Sequence, residues 1–214
     1  MKRILSKTVS LSLVAVFVIW TIVVSLVDVR PIGPEESKVG LAFMNESVKE
    51  IVGTNMLLYN ITDLLSIIPI GIMVGYASLG LIQWLKRKKL WLVDHSLLSL
   101  SVFYLSMILV YVFFEIFVIN FRPVLIDGLL EASYPSSTTV LVMCVMLSAV
   151  IELNYRLKCI TLKRVLTFCF IVFTIFMIAS RLMSGVHWVT DIIAGIIISS
   201  ALLTWYHGEI NYKN

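Results

Sequence analysis

Long apolar runs fill most of the chain, and short polar breaks separate them. A bilayer core takes roughly 20 apolar residues of helix. Six stretches qualify: about 9–27, 56–85, 92–119, 136–154, 164–181 and 188–206. The second is long and carries Asn60, Asp63, Pro69 and several glycines. A membrane helix tolerates such breaks where neighbours satisfy the freed backbone. The first follows a basic start of Lys2, Arg3 and Lys7, as a signal peptide would. Its apolar run is too long for that and no A-x-A site follows, so it reads as an uncleaved span. The pattern predicts an all-α integral membrane bundle of six transmembrane helices, a single membrane domain over residues 1–214.

Residues 28–55 form the one long connection. Pro31, Gly33 and Pro34 open it as a turn region. Val39, Phe43, Met44, Val48, Ile51 and Val52 then recur at helical spacing, with Lys38, Glu46, Lys49 and Glu50 elsewhere. This predicts a short amphipathic helix in the membrane interface. It is either a solvated connector or a flap beside a lipid path.

Composition agrees with a lipid solvent. Apolar residues make up 59% and charged residues 14%, with a mean hydropathy of +0.98. Soluble domains run near 45–50% and about 25%. The net charge of +4 raises nucleic-acid binding, but the placement of the cations removes the need for it. Lys2, Arg3, Lys7, Lys86, Arg87, Lys88, Lys89, Arg156, Lys158, Lys163, Arg164 and Lys213 are 12 of the 17, and all fall on one side of a six-span chain. The positive-inside rule makes that side cytoplasmic, with both termini there. Arg30, Lys38, Lys49, Arg122 and Arg181 fall on the other side, beside Asp28, Glu35, Glu36, Glu46 and Glu50. The basic character is topological, and the partner is the lipid bilayer rather than nucleic acid. Cys144, Cys159 and Cys169 show no metal-ligand or disulfide spacing and read as small apolar fillers. Trp20, Trp84, Trp91, Trp188 and Trp205 read as an interfacial belt, Trp20 being the least well placed. His95 and His207 fall on the inner side.

Candidate chemistry gathers on the extracytoplasmic side. Arg122-Pro123 lies between the third and fourth spans. Pro135, Ser136, Ser137, Thr138 and Thr139 open the fourth. Ser180-Arg181 and His187 with Asp191 lie between the fifth and sixth. Arginine offers a planar fork that matches phosphate oxygens. A helix N-terminus offers free N–H groups and a positive dipole end, and hydroxyls there cap the helix or donate to an anion. His187 and Asp191 at i, i+4 share a helix face, where a carboxylate fixes the imidazole tautomer and frees the other nitrogen to attack. Each group has a plainer use: a headgroup anchor for either arginine, an N-cap for the hydroxyls, a buried structural pair for His187 and Asp191. Their co-location is what favours a phosphate site.

The order and spacing resemble the type-2 phosphatidic acid phosphatase family, the membrane relatives of vanadium haloperoxidases. Its third motif, Ser-Arg-x5-His-x3-Asp, is matched in full by Ser180, Arg181, His187 and Asp191. Its first, Lys-x6-Arg-Pro, is half matched by Arg122-Pro123, with Glu115 at the lysine position. Its second, Pro-Ser-Gly-His, is matched by Pro135-Ser136, with Ser137 and Thr138 replacing Gly and His. The resemblance covers roughly residues 55–206. It implies attack on phosphorus by His187 oriented by Asp191, with Arg122, Arg181 and Ser136 on the phosphoryl oxygens and Ser137 and Thr138 beside them. It implies no metal or cofactor, and a lipid phosphate substrate in a bacterial plasma membrane. The family's acid is absent at Thr138, so a diphosphate such as a polyprenyl diphosphate is expected over phosphatidic acid. Glu115, Asp127, Glu131 or Asp63 could supply the proton instead. Glu115 could also pair with Arg122 or Arg181. Rival readings are a lipid-phosphate binder without turnover and a small transporter.

Overall fold

The computed structural model describes residues 2–213, with side chains for residues 4–211. The side chains of Lys2, Arg3 and Lys213 in the charge map fall outside the described residues. Eight α-helices are present among those described: α1 (Lys2–Leu26), α2 (Ala42–Val52), α3 (Met56–Leu65), α4 (Ile67–Arg87), α5 (His95–Ile116), α6 (Ser137–Arg156), α7 (Ile160–Met183) and α8 (Val189–Lys213). Six stretches are long and apolar enough to cross a membrane, α3 and α4 acting together as one. The chain is an all-α, multi-pass membrane protein.

The seam between α3 and α4 lies at Ser66. Pro69 accounts for it: proline has no N–H for the Leu65 carbonyl four residues back, and its ring crowds that carbonyl. Ser66 closes the seam locally, its Oγ donating to the Thr62 carbonyl at 2.9 Å.

α6 and α8 are the most buried spans. Small buried residues such as Ser148, Ala149, Ala194, Ser199 and Ala201 let the helices approach closely. At Gly195 of α8, a Cβ would sit 3.0 Å from Thr139 Cγ2 of α6. That closeness brings the start of α8 against the first turn of α6. α1 runs along α8, with Ser10 Oγ donating to the Ala201 carbonyl at 2.9 Å. α5 adds Leu100, Phe103, Met107 and Phe114 to the core, and α7 adds Met177. α3 and α4 are the least covered.

The basic loops lie at one end of the bundle. A polar network, buried at Glu152 and Tyr206 and half-buried elsewhere, closes that end. Glu152, fully buried, accepts from Tyr206 Oη at 2.7 Å and pairs with Arg156 Nε at 2.6 Å. Arg156 Nη2 donates to Ser96 Oγ at 2.9 Å, and Gln83 Nε2 donates to Asp94 at 2.7 Å. α4, α5, α6 and α8 are thus tied together there.

Three expectations change. α2 forms, but Ala42, Asn45 and Lys49 turn inward while Phe43 and Ile51 are exposed, so Lys49 is not on a solvated face. Trp188 is buried rather than belted at the interface, because its Nε1 donates to the Phe121 carbonyl at 2.7 Å. Only Cys144 acts as core filler, since Cys159 and Cys169 are exposed.

Candidate active site

At the opposite end of the bundle three loops and two helix starts converge. The turn after α7 carries His187, and α8 begins at Val189. Asp191 lies in the first turn of α8 and reaches back, its Oδ2 accepting from Trp188 N at 3.0 Å. This is a capping arrangement that satisfies an otherwise orphaned amide. Its Oδ1 accepts from Asn120 Nδ2 at 3.2 Å. The carboxylate is fully buried and held on both oxygens.

His187 is buried between a carboxylate and a guanidinium. Its Nδ1 is 3.8 Å from Asp191 Oδ2, and its Nε2 is 3.2 Å from Arg122 Nη1. Arginine has no acceptor, so Nε2 must accept and the ring proton resides on Nδ1, facing Asp191. The 3.8 Å contact is longer than a direct hydrogen bond. Burial pushes the His187 pKa down to about 4, Asp191 opposing the shift and Arg122 and Arg181 adding to it. The imidazole is therefore neutral at pH 7, with its free lone pair on Nε2.

Arg122 is held by the loop after α5, which folds back on itself through isolated antiparallel bridges and where its backbone N donates to the Glu131 carbonyl at 3.0 Å. Its Nε lies 2.9 Å from Glu131 Oε2. Arg181, at the end of α7, is 2% exposed. Its Nη2 donates to Thr138 Oγ1 at 2.6 Å and to Asp63 Oδ1 at 3.1 Å. Its Nε and Nη1 are buried without a partner. The Tyr59 ring of α3 covers both guanidinium groups, 4.7 Å from Arg181 Cζ and 5.9 Å from Arg122 Cζ. Two buried guanidinium groups with unspent donors, beside a neutral imidazole lone pair, form a place for a tetrahedral anion.

Ser136 and Thr138 join this cluster from α6. Ser136 N donates to the Asp191 carbonyl at 3.1 Å, and Ser136 Oγ accepts from Thr139 Oγ1 at 3.0 Å. Ser137 and Glu115 sit further out, lining with Thr138 and Asp63 a cavity of about 390 Å³. Its remaining walls are mostly apolar, including Ile70, Met107, Phe114 and Val140. Neither arginine takes Glu115 as its ion-pair partner: Glu131 holds Arg122 and Asp63 holds Arg181. Glu115 comes instead from the last turn of α5, facing Tyr111 one turn earlier. Asp127 sits exposed on the Ile126–Leu129 turn.

Sequence reading missed the support. Asn45 of α2 is buried; its Nδ2 donates to Thr190 Oγ1 at 3.0 Å and its Oδ1 accepts from Thr190 N at 3.3 Å. Lys49 Nζ donates to the Gly185 carbonyl at 2.6 Å and to Thr54 Oγ1 at 2.6 Å. Gly185 has φ +63°, and a Cβ there would meet the Gly53 carbonyl at 1.9 Å. Glycine is needed for both reasons. The amphipathic pattern of residues 42–52 announced a helix, but the direction of Asn45 and Lys49 carries no sequence signal.

The model of the PAP2 superfamily matches residues 72–214. No curated protein matches the chain. In its fold the chain is similar to the crystal structure of the first transmembrane PAP2 type phosphatidylglycerolphosphate phosphatase from Bacillus subtilis. That likeness has a TM-score of 0.62 and 16% identity, and covers 95% of this chain and 96% of the other.

Proposed function

The chain belongs to the PAP2 superfamily, and we propose that it is a membrane lipid phosphatase that hydrolyses lipid phosphates or diphosphates through a phosphohistidine on His187. The observation that carries this reading is the placement of His187 Nε2 at 3.2 Å from Arg122 Nη1, with Asp191 behind Nδ1. Substrate phosphorus takes the position in front of Nε2, and Arg122 moves from the lone pair to a phosphoryl oxygen. Nε2 forms a bond to phosphorus as the bond to the departing oxygen breaks. Asp191 stabilises the positive charge that develops on the ring. Arg181, through Nη2 together with its spare Nε or Nη1, and the first turn of α6, with Ser136, Ser137 and Thr138, stabilise the equatorial oxygens. Water then attacks phosphorus, releasing phosphate and restoring His187.

The departing oxygen needs a proton unless it leaves as a stable anion. Thr138 stands where the family motif has histidine, and a threonine hydroxyl is a poor acid. A general acid is worth roughly 10²–10⁴ in rate. When the terminal phosphoryl group of a diphosphate moves to His187, the polyprenyl monophosphate leaves as a stable anion and depends less on that proton, which favours a polyprenyl diphosphate, such as undecaprenyl diphosphate, over phosphatidic acid. Glu115, on the wall of the same cavity, is the alternative donor. The cation-rich loops lie at the far end from this site, which under the positive-inside rule supports a site at the extracytoplasmic face and cytoplasmic termini, and the family resemblance supports a bacterial plasma membrane.

A second reading is supported by the ion pairs. Glu131 and Asp63 each occupy an arginine of the site, which suits a protein that binds lipid phosphate without turnover. Phosphate release from a polyprenyl diphosphate, a polyprenyl monophosphate, phosphatidic acid and phosphatidylglycerophosphate separates the two. Turnover that His187→Ala removes supports the enzyme. Ligand-dependent thermal stabilisation with no release supports the binder.

A further inference from the structure

We propose that Asp63 is a built-in competitor for the phosphoryl group: it pairs with Arg181, must be displaced by an incoming phosphate, and so selects anchored lipid phosphates over free phosphate. The substrate in this statement rests on the phosphatase reading; the competition for Arg181 does not.

Arg181 is the most enclosed cation of the site, at 2% exposure. Both hydrogens on its Nη2 are spent, one on Thr138 Oγ1 at 2.6 Å and one on Asp63 Oδ1 at 3.1 Å. Its Nε and Nη1 are buried and unpartnered. Either two-donor edge of the guanidinium includes Nη2, so a phosphate gripped bidentately needs an Nη2 hydrogen, and the charged competitor for Nη2 is Asp63. The two anions cannot share it, because a carboxylate and a phosphoryl oxygen at that spacing repel each other. One must leave, and Asp63 is the mobile one. Its side chain is 63% exposed and sits three residues before the Ser66 seam, on a thinly covered helix. Tyr59, one turn earlier on the same face, lies over Arg181 and keeps the guanidinium in place when Asp63 withdraws.

Free phosphate brings only its charge to this contest. A lipid phosphate also brings apolar surface, and Asp63 lines the apolar cavity beside the site. Chain binding there supplies free energy that displaces the carboxylate, and the carboxylate returns once only inorganic phosphate remains. Asp63 thereby hastens product release. Tyr59 and Asp63 both lie outside residues 72–214 matched by the superfamily.

The test is a thermal-shift titration of the full chain in detergent with orthovanadate and with inorganic phosphate, comparing wild type with Asp63→Asn. Asparagine keeps an acceptor for Arg181 and removes the charge. Asp63→Ala is the second variant, read where the asparagine form is unstable without ligand. The expected result is binding of both anions at least about tenfold tighter in the variant, the size of effect that removing a like charge produces. Equal or weaker affinity in both variants, or no anion binding by any form, overturns the proposal. The readout needs no turnover. Tighter binding without lipid hydrolysis by any form would leave Asp63 as a competitor and remove the phosphatase reading. Lipid hydrolysis by wild type with unchanged anion affinity in the variants would do the reverse.

Discussion

Arg122 Nη1 stands 3.2 Å from Nε2 of His187, so a guanidinium covers the lone pair of that ring nitrogen. The contact also settles the tautomer. A guanidinium only donates, Nε2 accepts, and the ring proton points at Asp191.

The pH dependence follows from this burial. His187 is pushed down to about 4 in the folded protein, against 6.5 for an ordinary histidine. Between those values the unfolded chain binds the proton and the folded chain does not. Stability is thus full above about pH 6.5 and falls as pH drops toward 4, by about 3 kcal/mol from this group. Denaturation of wild type and His187→Asn across pH 4–7 should show that much less acid sensitivity in the variant. In activity, the acid limb governed by His187 should fall near pH 4 rather than near 6.5, read from kcat/KM.

Asn45 supports Asp191 through Thr190. Asn45→Ala removes both bonds to Thr190. Small misplacements of reacting groups cost up to about 10²-fold. We expect kcat to fall about 10- to 100-fold with KM within about threefold. A matching rise in KM would place Asn45 in substrate binding instead.

Thr138→His places an acid beside Arg181. Phosphomonoester turnover should rise by about tenfold or more, within the range for general acid catalysis, while diphosphate turnover changes little. An unchanged monoester rate in a folded variant would assign the proton to another group, Glu115 first.

Glu152 tests the opposite end. Glu152→Ala removes the carboxylate that pairs with Arg156 Nε, leaving Arg156 with Ser96 and Asp94, and removes the acceptor of Tyr206. Breaking a buried pair costs about 3–5 kcal/mol. Unfolding in detergent should show that loss, with kcat unchanged at temperatures where the variant is folded.

Six spans were legible because each is a long apolar run, and a bilayer fixes their length. His187, Asp191, Arg122 and Arg181 were legible because fixed spacing and residue chemistry coincide. The partners were not. Asp63 meets Arg181 across 118 residues, and Asn45 meets Thr190 across 145. A lone carboxylate or amide has no periodicity that says which distant group it will face. The helix seam was partly legible: Pro69 was visible, but its effect falls on the carbonyl four residues earlier and places the seam at Ser66. Lys49 falls off the apolar stripe of α2 in the sequence pattern, yet three acceptors, at Gly53, Thr54 and Gly185, turn it inward.

The central claim is that His187 attacks phosphorus. The most direct measurement is release of inorganic phosphate from a polyprenyl diphosphate by the purified protein, with His187→Ala alongside. The account predicts release by wild type and a loss of at least about 10³-fold in the variant, as for removal of a nucleophile. Full activity in a folded His187→Ala protein would contradict it.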